Sequence, residues 1–205
     1  MSGLGFVHRF ERGSGASTLL LLHGTGGDES DLVPLGRELA PAANLLSPRG
    51  QVLEQGMPRF FRRLAMGIFD EEDLRRRAAQ LADFVTAAAA SYGLDARKIF
   101  ALGYSNGANI AAAVLLLHPA ALAGGVLLRP VLPLEPAASP ELHGKPVLLA
   151  AGRHDPYAPH ERVEALAEWL RRGGAEVDLR WQAAGHELTE ADLAAARAWL
   201  ERHLD

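Results

Sequence analysis

The feature of the sequence that most constrains the fold is a five-residue segment, residues 103–107 (Gly-Tyr-Ser-Asn-Gly), which joins two apolar stretches. Residues 98–102 before it have the composition of a buried strand, and residues 108–117 after it have that of a buried helix. A chain that passes from strand to helix so quickly must turn sharply, and the two glycines permit this because neither carries a Cβ. The pattern predicts that Ser105 lies at the apex of the turn, beyond the end of a sheet.

The rest of the chain alternates between short apolar stretches and segments with helical periodicity. The apolar stretches predict strands at residues 7–11, 18–22, 44–47, 98–102, 125–128, 146–151 and 176–181. The periodic segments predict helices at residues 31–40, 71–92, 105–117, 159–172 and 189–203. Strands that alternate with helices form a mostly parallel sheet with helices on both faces. The expected fold is therefore one α/β domain over residues 1–205, with about seven strands in its central sheet.

The composition excludes several classes of function. The net charge is −4, which argues against a nucleic-acid partner or an anionic membrane surface. The chain has no cysteine, so disulfides, thiol nucleophiles and cysteine metal sites are excluded, and the histidines show no metal-ligand spacing. No uncharged apolar stretch approaches the roughly 20 residues of a transmembrane helix, and residues 1–10 lack a signal-peptide core. We therefore expect a soluble cytoplasmic protein.

Two further residues follow predicted strands and complement the serine at the turn. A serine hydroxyl becomes an effective nucleophile only beside a base that is itself oriented by an acid. Asp155 follows the strand at residues 146–151, and His186 follows the last strand. Because the carboxyl ends of parallel strands meet at one edge of the sheet, Ser105, His186 and Asp155 are expected to converge there. We expect His186 to act as the base and Asp155 to hold its ring.

A glycine-rich turn after the strand at residues 18–22 supplies the remaining part of such a site. Residues 23–28 read His-Gly-Thr-Gly-Gly-Asp, and backbone N–H groups in a turn of this kind can stabilise a developing oxyanion. By position, we expect one donor to be the backbone N–H of Thr25. The second is the backbone N–H of Asn106, directly after the serine.

These segments, in this order, resemble the phospholipase/carboxylesterase family of small α/β-hydrolases. The resemblance rests on residues 21–29 (Leu-Leu-His-Gly-Thr-Gly-Gly-Asp-Glu), residues 103–107, residues 152–156 (Gly-Arg-His-Asp-Pro) and residues 185–186 (Gly-His). Residues 47–50 (Ser-Pro-Arg-Gly) and 57–61 (Met-Pro-Arg-Phe-Phe) are similar to a bacterial branch of hydroquinone-associated hydrolases. Asn106 departs from many members, in which glutamine is common at this position.

The resemblance implies an α/β-hydrolase fold and hydrolysis of short-chain carboxylic esters without a metal or cofactor. Its partner would be a small-molecule ester, and relatives suggest that a homodimer is possible. A chain of 205 residues leaves little room for a cap domain, so we expect little or no lid. Acyl-thioesterase and lysophospholipase activities would use the same three side chains. A non-catalytic receptor with this fold is the alternative from a different class of protein.

The substrate-binding residues are the least constrained by the sequence. Residues 48–70 contain Met57, Phe60 and Phe61, which could form an apolar pocket wall or simply pack a loop onto the sheet. An arginine at the carboxyl edge could bind an anionic group of the substrate, although solvated or structural roles are commoner. The candidates for this are Arg129, Arg49, Arg59, Arg62 and Arg63. Asp178 is an alternative acid, but its position inside a strand pattern predicts that it faces solvent.

Overall fold

A computed structural model describes residues 4–204. Within this range, seven strands form the central sheet in the order β1-β3-β2-β8-β9-β10-β11. Only β1 runs antiparallel to its neighbour, and the other pairings are parallel. The strands are β1 (His8–Glu11), β2 (Thr18–Leu22), β3 (Asn44–Pro48), β8 (Ile99–Tyr104), β9 (Gly124–Leu128), β10 (Pro146–Gly152) and β11 (Glu176–Gln182).

Helices cover both faces of this sheet because successive strand residues point to opposite sides. Leu20 and Leu22 pack into one core with helices α2, α3 and α4, whereas Leu19 and Leu21 pack into a second core with α1 and α5. The helices are α1 (Val33–Leu39), α2 (Glu71–Tyr92), α3 (Asn106–Leu117), α4 (His160–Arg172) and α5 (Glu190–His203). Short 3-10 helices occupy Ala96–Lys98 and Pro119–Ala121.

Local sequence signals explain where the long helices begin and end. At the start of α2, the Asp70 side chain accepts a hydrogen bond from the Asp73 backbone N–H at 3.0 Å. Gly93 ends the same helix with a left-handed φ of 64°. At the start of α5, Thr189 and Asp192 exchange side-chain to backbone hydrogen bonds, a capping box that satisfies two otherwise unpaired N–H groups.

Two small β-hairpins lie between β3 and α2, where the sequence predicted no core element. The first pairs β4 (Val52–Glu54) with β5 (Met57–Arg59), and the second pairs β6 (Arg63–Ala65) with β7 (Ile68–Phe69). Residues of both hairpins border the cavity described below. They are a small insertion beside the central sheet.

The α/β-hydrolase architecture predicted from the sequence is confirmed. The seven predicted strands and five predicted helices are all present, with ends within two residues of their expected positions. Among residues 4–204, no helix combines the length and apolar character needed to cross a membrane.

Candidate active site

Ser105 occupies a strained turn between β8 and α3. Its backbone has φ 52° and ψ −112°, a conformation that side-chain-bearing residues rarely adopt. Both flanking residues must be glycine, because a Cβ at either position would clash with backbone atoms. A Cβ on Gly107 would lie 1.9 Å from the Leu22 carbonyl oxygen, and one on Gly103 would lie 2.6 Å from the carbonyl oxygen of Gly107. The chain therefore turns as sharply as residues 103–107 predicted.

The side chains of Asp155, His186 and Ser105 form a continuous hydrogen-bonded series. His186 Nδ1 lies 2.7 Å from Asp155 Oδ2, and His186 Nε2 lies 2.9 Å from Ser105 Oγ. An ionised carboxylate only accepts hydrogen bonds, so Nδ1 carries a proton and donates a hydrogen bond to Asp155. Nε2 is then the nitrogen that accepts from the Ser105 hydroxyl. This is the arrangement of a nucleophile, a base and an orienting acid.

The acid in this series is enclosed, whereas the histidine reaches the surface. The Asp155 side chain is fully buried, and its second oxygen, Oδ1, accepts from the backbone N–H of Tyr157 at 2.8 Å. The His186 side chain is 24% exposed. The alternative acid, Asp178, instead pairs with Arg180 on the half-exposed face of β11, as its strand position predicted.

The loop after β2 is fixed by a buried histidine. His23 Nδ1 donates to the Gly24 carbonyl at 2.7 Å, and its Nε2 accepts from the Gly50 backbone N–H at 2.9 Å. Burial lowers the pKa of His23 below its ordinary value, which favours the neutral ring that this pair of hydrogen bonds requires. The Gly27 N–H closes the turn onto the Gly24 carbonyl at 3.2 Å. His23 is thus a structural support for the loop, and it takes no part in the series of Asp155, His186 and Ser105.

Thr25 and Asn106 both border the cavity beside Ser105. Neither backbone N–H donates a hydrogen bond to another group within residues 4–204. The Thr25 side chain accepts from Arg59 Nη1 at 2.7 Å. The Asn106 side-chain oxygen accepts from the Phe60 N–H at 2.7 Å, while its Nδ2 has no partner among the described residues.

A cavity of about 330 Å³ opens beside Ser105. It is lined by Thr25, Arg59, Arg63, Met66, Gly67, Phe69, Tyr104, Ser105, Asn106, Asn109, Arg129, Val131, Tyr157 and His186. No group of three or more His, Asp or Glu side chains suited to a metal ion occurs in residues 4–204.

Met57, Phe60 and Phe61 do not line this cavity, so their expected pocket role is corrected. Phe60 packs against the His23 ring, with ring centroids 4.7 Å apart, and Phe61 is fully buried against Phe69 at 5.0 Å. Both rings are buried in the core that also contains residues of α2 and α3. Met57 is partly exposed at the tip of that hairpin. Packing onto the sheet, the alternative left open by the sequence, describes the two phenylalanines.

Arg129 borders the cavity, but its guanidinium cannot serve as the expected substrate contact. The side chain is fully buried and pairs with the equally buried Asp192, Nη2 to Oδ2 at 2.6 Å and Nη1 to Oδ1 at 3.1 Å. Nε donates to the Gly185 carbonyl at 3.0 Å, and Nη2 also donates to the Glu187 carbonyl. Arg129 therefore donates to both chain neighbours of His186, and its own φ of 57° lies in the left-handed region.

Sequence reasoning missed several residues that shape this site. The Tyr104 hydroxyl donates to the His186 carbonyl at 3.1 Å, and the Tyr157 ring meets the His186 ring edge-on at 5.1 Å. Asn109 Oδ1 accepts from the Val131 N–H at 2.9 Å, which fixes another part of the cavity wall. Tyr104 lies inside the serine motif, and Asp192 lies at the third position of a capped helix, so both had a local signal. Nothing local to Arg129 or Asp192 indicates their pairing.

The chain is similar to known proteins of one family. The model of the phospholipase/carboxylesterase family matches residues 11–204. MhqD of Bacillus subtilis (strain 168), named as a putative hydrolase, is 46% identical over 192 residues, which are 94% of this chain and 96% of that protein. A Bacillus cereus carboxylesterase structure is 45% identical with a TM-score of 0.95, covering 98% of this chain and 96% of its own. A Mesorhizobium loti carboxylesterase structure is 36% identical with a TM-score of 0.91, covering 98% and 97%. The chain thus belongs to the phospholipase/carboxylesterase family and is a serine hydrolase with the α/β-hydrolase fold.

Proposed function

We propose that this hydrolase is a carboxylesterase that cleaves small or short-chain esters through an acyl-enzyme at Ser105. The observation that carries the proposal is the hydrogen-bonded series from Asp155 through His186 to Ser105, with distances of 2.7 and 2.9 Å, at the edge of an open cavity. Both distances lie within the range over which proton transfer between positioned groups occurs.

In the first half-reaction, Ser105 Oγ attacks the ester carbonyl carbon while its proton passes to His186 Nε2. The carbonyl oxygen becomes an oxyanion and receives hydrogen bonds from the unpaired backbone N–H groups of Thr25 and Asn106. Asp155 stabilises the imidazolium and keeps the ring oriented without taking the proton itself. When the tetrahedral intermediate collapses, the C–O bond to the alcohol breaks and the alcohol leaves with the proton of His186.

The second half-reaction repeats these steps with water. His186 Nε2 removes a proton from water as its oxygen attacks the acyl carbon, and the same two N–H groups bind the oxyanion. Collapse then breaks the bond to Ser105 Oγ, which recovers its proton from His186, and the carboxylic acid leaves. The residue that orients the base in both halves is Asp155.

The shape of the cavity supports a small substrate. Its volume of about 330 Å³ lies at the lower end of the roughly 300–1,000 Å³ of ligand pockets. Gly67, Phe69 and Met66 of the second hairpin border one side of it, and Tyr157 borders the cavity near His186. A short acyl or alcohol group fits this space, whereas a palmitoyl chain would have to extend along the surface.

A panel of esters and thioesters of increasing acyl length tests the proposal. We expect kcat/KM to be highest for acetyl to butyryl oxygen esters and to fall steeply toward palmitoyl, with activity absent in Ser105→Ala. Preference for thioesters would favour the acyl-thioesterase alternative, and preference for lysophospholipids the lysophospholipase one. Folded protein that turns over no member of the panel and does not react with a fluorophosphonate probe would favour a ligand-binding receptor.

A further inference from the structure

The cavity beside Ser105 has an unbalanced electrostatic character. Of its fourteen lining residues, three are arginines, and no Asp or Glu of residues 4–204 lines it. Arg129 contributes no net charge because Asp192 pairs with it in full burial. The charge that a bound molecule meets therefore depends on Arg59 and Arg63.

These two arginines share a single carboxylate. Arg59 Nε lies 3.2 Å from Glu54 Oε2, and Arg63 Nη2 lies 2.8 Å from Glu54 Oε1. A guanidinium stays protonated in proteins, so two positive charges face one negative charge and the group keeps a net charge of about +1. Burial, followed by the neighbouring charge of Arg63, lowers the pKa of Arg59 from its ordinary value. Glu54 acts in the opposite direction and raises the pKa of Arg59.

The two arginines differ in how far their side chains are exposed. The Arg59 side chain is 4% exposed, and it already donates to Thr25 Oγ1 at 2.7 Å and to the Phe61 carbonyl at 3.3 Å. The Arg63 side chain is 22% exposed, and apart from Glu54 its Nη1 meets only the weakly accepting sulfur of Met66 at 3.3 Å. Arg63 is therefore able to donate to a molecule in the cavity, and Arg59 supplies a second positive charge behind it.

Two further carboxylates lie near the reacting groups, Asp155 and Glu187, and neither lines the cavity. Asp155 is fully buried, and its two oxygens are taken up by His186 Nδ1 and the Tyr157 N–H. The remaining wall is apolar or neutral, formed by Phe69, Val131 and Met66 among others. An anionic group in the cavity consequently finds a positive partner in Arg63, and no carboxylate of residues 4–204 lines the wall beside it.

Building on the proposed esterase function, we infer that the preferred substrate is a short ester that carries a carboxylate besides the ester group. In this assignment Arg63 binds the carboxylate directly, with Arg59 behind it, while the ester carbonyl lies between Ser105 and the N–H groups of Thr25 and Asn106. Arg63 is thus a specificity-determining residue, and the monoester of a short dicarboxylic acid is the simplest substrate of this class.

A matched pair of substrates tests this inference. Monomethyl succinate and dimethyl succinate have the same acyl chain and the same scissile methyl ester, and they differ in one negative charge. We expect kcat/KM, counted per ester group, to favour the monoester by about tenfold, the size of one hydrogen bond to a charged partner. The preference should fall when salt rises from about 20 mM to about 0.5 M, because the screening length shortens from about 20 Å to about 4 Å.

Substitutions test whether Arg63 causes the preference for the monoester. In Arg63→Gln the ratio of the two kcat/KM values should drop toward one, and in Arg63→Lys much of it should remain. Arg62→Gln is the matched control, since Arg62 is exposed, pairs with Asp70 and does not border the cavity. It makes the same change in net charge and should leave the ratio near that of the unmodified protein.

The inference and the proposed function fail in different ways. Hydrolysis of both succinates without preference for the monoester, or a preference unchanged in Arg63→Gln, would overturn the inference and leave the esterase intact. If Arg63→Gln does not fold, the salt dependence of the ratio in the unmodified protein decides the question, and a ratio insensitive to salt refutes the inference. Hydrolysis of neither succinate, nor of p-nitrophenyl acetate, would instead refute the proposed function.

Discussion

Replacing Arg129 with methionine tests whether a buried ion pair holds the loop that carries His186. Methionine has a similar length but no charge and no hydrogen-bond donor. The change removes the pairing with Asp192, in which both side chains are fully buried, and the hydrogen bonds to the carbonyls of Gly185 and Glu187. These two carbonyls flank His186 in the chain, so the perturbation reaches the proposed base without touching it.

The main energetic effect comes from the carboxylate left behind. Burial tends to raise the pKa of Asp192, but hydrogen bonds from Arg129 and Thr189 outweigh this, and its pKa lies below the ordinary value. Without Arg129 the carboxylate must stay charged in a buried site or take up a proton. Removing one partner of such a pair costs about 3–5 kcal/mol in free energy of unfolding, and we expect a loss in that range for Arg129→Met.

A second substitution separates the ion pair from simple loss of packing. The double variant Arg129→Met/Asp192→Asn has an uncharged amide at position 192, whose oxygen can still accept from the N–H or the hydroxyl of Thr189. We therefore expect the double variant to regain about 1–3 kcal/mol relative to Arg129→Met, because no buried charge is left unpaired. Its turnover should be as low as that of Arg129→Met, because in both variants the carbonyls of Gly185 and Glu187 lack their donor.

Urea denaturation at neutral pH measures the free energy of unfolding of each variant. Ester turnover is measured at a temperature where every variant is folded. The matched control is Arg180→Met, because Arg180 pairs with Asp178 where both side chains are well exposed to solvent. It should change stability and turnover little. The reasoning is refuted if Arg129→Met is as stable and as active as Arg180→Met, or if the double variant is no more stable than the single one.

Two further substitutions test the turn at Ser105 and the loop that carries Thr25. Gly107→Ala places a Cβ 1.9 Å from the Leu22 carbonyl oxygen, so we expect little folded protein by circular dichroism. Gly56→Ala has no atom within 4 Å and only the strain of its φ of 81°, about 1–2 kcal/mol, so it should still fold. Well-folded, active Gly107→Ala would contradict the account of the turn. Burial lowers the pKa of His23, so the unfolded chain takes up its proton first as pH falls below the ordinary value of 6.5. The stability that His23 contributes is complete above pH 6.5 and is lost below it, with a slope of up to about 1.4 kcal/mol per pH unit. Urea titrations from about pH 8 to about pH 5 measure this slope. We expect it to be smaller in His23→Gln and unchanged in the control His154→Gln, because His154 is exposed. Equal slopes in the two variants would argue against a buried neutral His23.

The elements of the central sheet could be predicted because each carries its own local pattern. β2 is almost wholly apolar and buried on both faces, and α2 has acidic residues at its start and glycine at its end. The sequence alone predicts that Ser105, Asp155 and His186 lie close together. Each follows a strand of one parallel sheet, and such strands end at a common edge. The sequence also led to Thr25 and Asn106, since both are defined by their position in a turn.

The parts that escaped prediction depend on contacts between distant segments. The strands of the two hairpins between β3 and α2 have only two or three residues each, too few for a periodic pattern to show. Phe60 and Phe61 were candidates for a pocket wall, but their rings are buried in the core against His23 and Phe69. Arg129 and Asp192 are 63 positions apart, and no local rule indicates that they meet. The charge of the cavity also depends on contacts that no local pattern indicates, because Arg59 and Arg63 share Glu54 only once the hairpins form.

The central claim is that Ser105 becomes covalently acylated during turnover. Rapid mixing with p-nitrophenyl acetate, an acid quench and peptide mass mapping test it directly. We predict that one acetyl group appears on the peptide containing Ser105 within a single turnover, and that it is absent from Ser105→Ala. Steady hydrolysis with no acetylated peptide, or with the acetyl group on another residue, would contradict the account.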